Sequence, residues 1–177
     1  ALQRGMDIIA FTDVDCILDK DWIKHIIFHF QRQEECGLVS GNTISLDKHW
    51  LGRYHNINGT LNGRKFKGST KLLYGTTANL AITFDVAREI RFNENFPSAA
   101  GEDIEFCFRA NKAGFKIEFN EKMIAHHHYG YTSNLIENLK KFRRQFKKYG
   151  EGERLLLHQI PDYYAYLDET EEIKAVR

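Results

Sequence analysis

The chain has 177 residues, a length that predicts one domain with room for a helical appendage. Hydrophobic residues make up 42%, enough to bury a core, and the formal net charge of +1 gives no global attraction to nucleic acid. The cysteines Cys16, Cys36 and Cys107 form no CxxC pair, which argues against a disulfide framework or a zinc finger and favours a reducing, cytoplasmic location. No apolar run approaches the roughly 20 residues of a membrane-spanning helix.

The first part of the chain predicts an α/β unit. The sequence begins with ALQRGM and so lacks an initiator methionine at position 1. This stretch predicts the end of a helix at Gly5. Residues 8–11 predict a strand buried on both faces, and an acidic loop, 12–15, follows it. Asp19 is a candidate N-cap for a helix whose apolar residues recur at helical spacing as far as Phe30. In such units ligands bind at the carboxyl ends of the strands, where this loop lies.

The middle of the chain carries weaker signals. Residues 38–46 predict a second strand, while residues 47–73, rich in glycine and basic side chains, predict a long loop or a hairpin near the site. The stretch YGTTANLAIT predicts a strand around residues 80–82, and residues 85–90 predict a short helix. These elements continue the α/β pattern.

The last third predicts two more helices. One runs from Gly101 to Gly114, a good residue for the position after a helix, and a strand over residues 115–119 follows it. The final helix has one apolar stripe and ends at Gly150. We place a domain boundary between 1–131, the catalytic portion, and 132–177, a helical extension with a basic amphipathic helix. Its cations are Lys140, Lys141, Arg143, Arg144, Lys147 and Lys148.

Two acidic pairs are candidate sites, and each has a simpler interpretation. Asp13 and Asp15 could bind Mg²⁺ or Mn²⁺ together with a diphosphate, although aspartate is also common in turns and caps. Glu102 and Asp103 precede an apolar run, where the helix dipole stabilises acids by roughly 0.3–1 kcal/mol and keeps them ionised at pH 7. Either of them could instead accept a proton from a hydroxyl group that becomes a nucleophile.

The run His126, His127 and His128 is the third candidate, because imidazole suits transition metals. In an extended segment His126 and His128 share one face and His127 faces the other way. A solvated loop or a core histidine is the alternative. A metal on Asp15 and a histidine, facing a carboxylate base, suits displacement of a nucleoside diphosphate.

Four stretches, DIIAFTDVDCILDKDWI, GTTANLAI, GEDIEFCFRANKAGFKI and HHH, resemble in this order the family 2 glycosyltransferases with the GT-A fold. The resemblance covers roughly residues 1–150. It implies an α/β fold with a GT-A-like, partial Rossmann-like mixed sheet flanked by helices and followed by C-terminal helices. The family's N-terminal nucleotide-binding strands are missing, so we expect this chain to be the C-terminal part of the catalytic domain.

The resemblance also implies roles for the acidic and histidine residues. Asp13 and Asp15 hold Mn²⁺ or Mg²⁺ and the donor diphosphate, with Asp15 preferred as the direct ligand. Asp103 is the catalytic base, with Glu102 beside it near the acceptor. A histidine completes the metal site, and the candidates are His126 first and His128 second.

Three further residues are implied to bind substrate. Gly75 and Asn79 match a segment that lines the donor-sugar pocket. Gln145 opens QFKKYG, which is similar to the Q-x-x-R-W motif of processive members, although Lys148 and Tyr149 depart from it.

The implied function is metal-dependent, inverting transfer of a hexose from a nucleotide-diphosphate sugar to an acceptor hydroxyl in glycan, polysaccharide or glycolipid synthesis. The expected partners are the sugar donor, a glycan or lipid-linked acceptor and no nucleic acid. The basic helix is either a solvated face or a peripheral contact with anionic lipid at the inner face of the membrane. A homo-oligomer or a separate N-terminal segment is expected to cover the sheet edge. The alternatives are a non-catalytic GT-A-like module that needs a partner segment, and a metal-dependent phosphohydrolase.

Overall fold

Strands and helices alternate along the residues that the structure, a computed structural model, describes, namely 7–97 and 99–175. The strands are β1 (Ile8–Thr12), β2 (Cys16–Leu18), β3 (Cys36–Ser45), β4 (Arg64–Phe66), β5 (Leu72–Tyr74), β6 (Asn79–Thr83), β7 (Lys116–His127) and β8 (Thr170–Glu172). The helices are α1 (Trp22–Arg32), α2 (Trp50–Asn58), α3 (Phe84–Glu89), α4 (Glu102–Lys112) and α5 (Leu135–Gln159), with a 3₁₀ helix at Pro161–Glu169. The helix end predicted at Gly5 lies outside the described residues.

The main sheet has five strands in the order β1-β6-β3-β7-β2. β3 and β7 run parallel, and the other neighbouring strands pair antiparallel. β3 lies in the centre and is buried along its whole length. The prediction that β1 is buried on both faces is wrong, because within the described residues it pairs with β6 alone and is only partly buried.

Helices cover both faces of this sheet. On one face, Trp22 and Ile26 of α1 pack against Val39, Ala81 and Met123. On the other face, the neighbouring residues of the same strands pack against α3 and α4. The buried residues of that cluster include Leu38, Leu80, Ile82, Val86 and Phe106. The alternation of side chains along β3 and β6 separates the two cores, which confirms the predicted mixed sheet flanked by helices.

Residues 47–73 contain a helix and a hairpin rather than a long loop. The helix is α2, whose N-cap is His49, with a side chain that accepts a hydrogen bond from the backbone N–H of Leu51. Histidine is not among the preferred N-cap residues, and α2 contains a glycine, so the sequence carried little helical signal. The predicted hairpin does form, from β4 and β5.

A smaller sheet joins the end of the chain to this hairpin. Its order is β5-β4-β8, so the last strand pairs with β4. Beneath it lies a third core cluster. The buried residues there are Leu73, Phe108, Leu156, Ile160 and Tyr163. The boundary at residue 131 stays a prediction, and contacts cross it at both the sheet and this cluster.

α5 is longer than the sequence predicts. It spans 25 residues and passes through Gly150, which was expected to end it. The helix continues because its second half packs, beginning at the buried Gly152. A Cβ at Gly152 would lie 2.3 Å from the carbonyl oxygen of Ala100, whereas a Cβ at Gly150 would meet nothing within 4 Å. The missing side chain at Gly152 therefore lets α5 approach the loop before α4.

These two glycines make a matched pair of tests. Gly152→Ala should lower the free energy of unfolding by roughly 1–3 kcal/mol, because the new methyl group overpacks against backbone. Gly150→Ala, in the same helix, should raise it by about 0.5–1 kcal/mol, because alanine has the higher helix propensity. Urea denaturation of both variants measures the difference. Equal effects of the two substitutions would contradict the close packing of α5 on Ala100.

Candidate active site

A cavity of about 460 Å³ lies at the carboxyl end of β1. Its walls come from the loop after β1, the loop before β6, the start of α4, the end of β7 and one face of α5. The ionisable and amide-bearing residues that line it are Asp13, Asp15, Glu102, Asp103, His127, Tyr129, Lys141, Arg144, Gln145, Lys148 and Tyr149. The volume falls within the range of small-molecule sites.

Asp13, Asp15 and His127 meet on one wall. The Nε2 atom of His127 lies 3.2 Å from Oδ1 of Asp15 and 3.8 Å from Oδ2 of Asp13. β2 follows the acidic loop and pairs with β7, so that Cys16 lies opposite His127. Burial lowers the pKa of His127 against the opposing pull of the two carboxylates, and burial raises the pKa of Asp13. A neutral imidazole keeps a lone pair for a metal.

Neither of the two histidines predicted as metal ligands, His126 and His128, lines the cavity, whereas His127 does. His126 lies on the opposite side of β7 from His127, because successive side chains of a strand alternate. His128 is exposed, and its Nε2 atom lies 3.8 Å from Oδ1 of Asp47. Its backbone N–H donates a hydrogen bond of 2.9 Å to the carbonyl of Asp15, so it supports the acidic loop through the main chain.

Asp103 and Glu102 open α4 on another wall. The carboxylate of Asp103 accepts hydrogen bonds from the backbone N–H of Ile104 at 2.9 Å and of Thr77 at 3.4 Å. Burial, with the adjacent charge of Glu102, raises the pKa of Asp103 to about 7. With this pKa the Asp103 carboxyl is about half ionised at pH 7, rather than fully ionised as the sequence led us to expect. A carboxyl group with a pKa near neutrality is well matched to general base chemistry.

Glu102 occupies an unusual position for a carboxylate. Its Oε2 atom is buried and, among the described residues, has no hydrogen-bond partner. Burying a charged oxygen without a partner is costly. A ligand in the adjacent cavity would be able to supply the missing donor.

Gly75 and Asn79 lie behind the cavity wall rather than on it. Asn79 is fully buried, and its side chain accepts a hydrogen bond of 2.8 Å from Nε1 of Trp22 and donates one of 2.8 Å to the carbonyl of Met123. A Cβ at Gly75 would lie 2.5 Å from Cβ of Ser40, so the glycine allows close packing on β3. Their place in the structure is thus one of support for the loop between them, and their role in donor binding stays a prediction.

The cations of α5 lie on two sides of the helix. Lys141, Arg144 and Lys148 line the cavity with Gln145, at the three- and four-residue spacing of one helix face. The side chain of Gln145 donates a 2.7 Å hydrogen bond to the hydroxyl of Tyr149. Four other cations of α5, Lys140, Arg143, Lys147 and Arg154, are exposed and do not line the cavity. The cavity therefore has one cationic wall opposite its carboxylates.

Sequence reasoning missed the residues packed around His127, among them Tyr129, which also lines the cavity. The Tyr129 ring stacks on that of His55 with a centroid distance of 3.8 Å, and its centroid lies 4.3 Å from that of His127. The buried carboxylate of Asp47 accepts hydrogen bonds from the backbone N–H of Tyr129 at 2.7 Å and of Tyr131 at 3.1 Å. The alternating tyrosines after the histidine run were the available signal. Asp47 carried none, since it lies in the segment interpreted as a loop.

A family model described as glycosyl transferase family group 2 matches residues 8–168. The chain belongs to the family 2 glycosyltransferases. The search of curated proteins found no match. Membership of this family makes the chain a glycosyltransferase domain, and it implies a nucleotide-sugar donor and an acceptor. In the described part of the glycosyltransferase, no helix has both the length and the apolar character needed to cross a membrane.

The residues of the acidic wall fit the divalent metal that the family generally uses. Asp15, Cys16 and His127 offer ligand atoms that all lie within 4.8 Å of one another. Oxygen and imidazole ligands suit Mn²⁺, and the carboxylates also suit Mg²⁺. Cys16 was considered in the sequence only for disulfides and zinc fingers, so its place beside this site was not foreseen.

Proposed function

We propose that this domain transfers a hexose from a nucleoside-diphosphate sugar to an acceptor hydroxyl, with Asp103 as the base and inversion at the anomeric carbon. The strongest support is that one cavity is lined both by Asp103, whose pKa is about 7, and by the cluster of Asp13, Asp15 and His127. Such an arrangement separates the group that takes the proton from the groups that receive the leaving diphosphate.

Asp13, Asp15 and His127 would hold Mn²⁺ or Mg²⁺, which when bound supplies positive charge to a departing diphosphate. The cationic face of α5 lies across the same cavity, with Lys141, Arg144 and Lys148 directed toward it. Charge-assisted hydrogen bonds from these side chains would bind phosphate oxygens. Gln145 is retained as a substrate-binding residue on the same face.

The reaction follows from these positions. The acceptor oxygen forms a bond to the anomeric carbon while its proton passes to the carboxylate of Asp103. The bond between the anomeric carbon and the phosphate oxygen breaks, and its electron pair leaves with the nucleoside diphosphate. The backbone N–H groups of Thr77 and Ile104 hold the carboxylate in place for this transfer. Glu102 lies beside it, with the unpartnered oxygen able to orient an acceptor hydroxyl.

We propose a lipid-linked acceptor at the cytoplasmic face of a membrane. Exposed apolar side chains on α2 and on the start of α5 adjoin, since the Tyr54 ring centroid lies 5.2 Å from that of Phe142. The exposed cations of α5 border this surface. Apolar groups beside cations favour binding to an anionic lipid interface. The exposed apolar residues are Trp50, Tyr54, Ile57, Leu135, Ile136 and Leu139.

The role of Asp103 is tested by Asp103→Asn. We expect kcat/KM for glycosyl transfer to fall by about 10²–10⁴-fold, because the amide cannot accept the proton. Donor binding, measured by calorimetry, should change little. In the unsubstituted enzyme kcat/KM should rise as pH increases through about 7, since the base must be ionised. Asp85→Asn, on the exposed surface of α3, is the control. Retained turnover in Asp103→Asn would assign the base to another group, Glu102 first.

The metal site is tested by titrating the protein with UDP and GDP, with and without Mn²⁺. Binding should be stronger with Mn²⁺ and should lose that dependence in Asp15→Ala and His127→Ala. His126→Ala is the matched control, because it removes the neighbouring imidazole from the other side of β7. Loss of the Mn²⁺ effect in His126→Ala, with His127→Ala unaffected, would show that the ligand assignment is wrong.

The two sides of α5 can be tested separately. Reversal of Lys141, Arg144 and Lys148 to Glu should weaken nucleotide binding at least tenfold, through lost phosphate contacts. Reversal of Lys140, Arg143 and Lys147 to Glu should leave nucleotide binding intact but abolish sedimentation with anionic liposomes. The two triple variants carry the same charge change, so each controls for the other. No liposome binding by the unsubstituted protein would exclude the membrane contact.

A further inference from the structure

A second cluster of metal-ligating side chains lies away from the cavity. It contains His29 in the last turn of α1, Cys36 at the start of β3 and Glu118 near the start of β7. Their ligand atoms all lie within 4.8 Å of one another. Nothing in the proposed glycosyl transfer uses these residues.

Two of the three separations between the donor atoms match a tetrahedral zinc site. Bond lengths of about 2.3 Å to sulfur and about 2.0–2.1 Å to nitrogen or oxygen place neighbouring ligand atoms about 3.6 Å apart for S–N and about 3.3 Å apart for N–O. The observed separations are 3.6 Å between Cys36 Sγ and His29 Nε2, and 3.2 Å between His29 Nε2 and Glu118 Oε2. Both of these pairs therefore have the separation of neighbouring ligands on one zinc ion, and the remaining pair, Cys36 Sγ and the Glu118 carboxylate, lies within 4.8 Å.

The chemistry of the donors favours one class of ion. Thiolate and imidazole together select Zn²⁺ over the Mg²⁺ and Mn²⁺ that prefer oxygen ligands. Cys36 is buried, while the side chains of His29 and Glu118 are 12% and 16% exposed, which leaves a route for the ion from solvent. Burial also lowers the pKa of His29, which keeps its imidazole neutral and able to coordinate.

We propose that His29, Cys36 and Glu118 bind Zn²⁺ with three protein ligands and a water molecule in the fourth position. The ion joins α1 to β3 and β7, two strands that already pair in parallel at this end of the sheet. Glu118 pairs with Val39 and His127 pairs with Ser45, so the two clusters are separated by six residues of β3, or about 20 Å. The zinc site is therefore structural and independent of the proposed catalytic metal.

Zinc binding requires a change in the thiol. Burial raises the pKa of the Cys36 thiol to about 12, and the thiol donates a 3.0 Å hydrogen bond to the carbonyl of Leu38. Coordination replaces that proton with the ion, so about one proton leaves Cys36 for each Zn²⁺ bound at neutral pH. Calorimetry in two buffers of different ionisation enthalpy measures this release.

The decisive experiment is a titration of the purified protein with Co²⁺, whose thiolate complexes absorb in the near ultraviolet through sulfur-to-metal charge transfer. We expect the band in the unsubstituted protein and its loss in Cys36→Ser and in His29→Gln. Cys36→Ser keeps a hydroxyl for the carbonyl of Leu38, and circular dichroism verifies that each variant is folded. Cys16→Ser is the matched control and should retain the band, because its thiol lies beside Asp15 and His127 and not in the proposed zinc site.

Stability gives an independent readout. At a free Zn²⁺ concentration of 100 times Kd, the unfolding equilibrium of the unsubstituted protein should be suppressed about 100-fold, and that of folded His29→Gln should not change. A band that survives in Cys36→Ser and disappears in Cys16→Ser would place the ion in the catalytic cavity and overturn the proposal. Absence of a band in the folded, unsubstituted protein would also overturn it, and would identify a hydrogen-bonded cluster without an ion.

Discussion

The parallel pairing of β3 with β7 determines where His127 and the acidic loop before β2 lie. β3 is buried throughout, so its register cannot slip without moving its side chains to the wrong core. The pairing aligns Ser45 with His127, and β2 then pairs on the outer side of β7, with Cys16 opposite His127. The loop that precedes β2 is thereby held beside the histidine. The acidic wall of the cavity is a consequence of strand register.

The opposite wall depends on the docking of α5. This helix reaches the start of α4 because Gly152 presents no side chain to the Ala100 carbonyl. The contact brings a face with three cations toward a cavity that also holds the buried Asp103. A negatively charged ligand would be attracted by this face, while its reacting end would approach a carboxyl group that is a better base than an exposed aspartate. In the proposed reaction, one wall would thus bind the charged ligand and the other would hold the base.

The two ends of the main sheet offer different ligand sets. The end near His127 has two carboxylates and an imidazole open to a cavity, which suits an ion that shares its coordination with phosphate oxygens. The end near Glu118 has a buried thiol, an imidazole and a carboxylate in a confined space, which suits a resident ion. Because β7 contributes a residue to each cluster, a single strand links the cavity end of the main sheet to its other end. Loss of order at either end would affect the register at the other.

Several secondary-structure elements and the family could be predicted from local sequence patterns. The strand before Asp13, the helix that opens at Glu102 and the Gly114 stop depend on residues near one another in the chain, and the structure contains all three. The family also followed from motifs in order. Period-two alternation places His126 and His127 on opposite faces of β7, but it could not say which face meets Asp15. That depends on the pairing of β7 with β2 and on an irregularity in β7 between Asn120 and Ile124.

The remaining differences have the same origin. β1 has the composition of an interior strand but lies at an edge of the described sheet, α2 forms with little helical signal, and α5 passes through Gly150. Each outcome was settled by packing against residues distant in sequence, which outweighs the few tenths of a kcal/mol that local propensities contribute per residue. Local chemistry identified which carboxylates and cations could act. Their assembly into one cavity came from strand register and from one glycine contact, because both join segments that no local pattern connects.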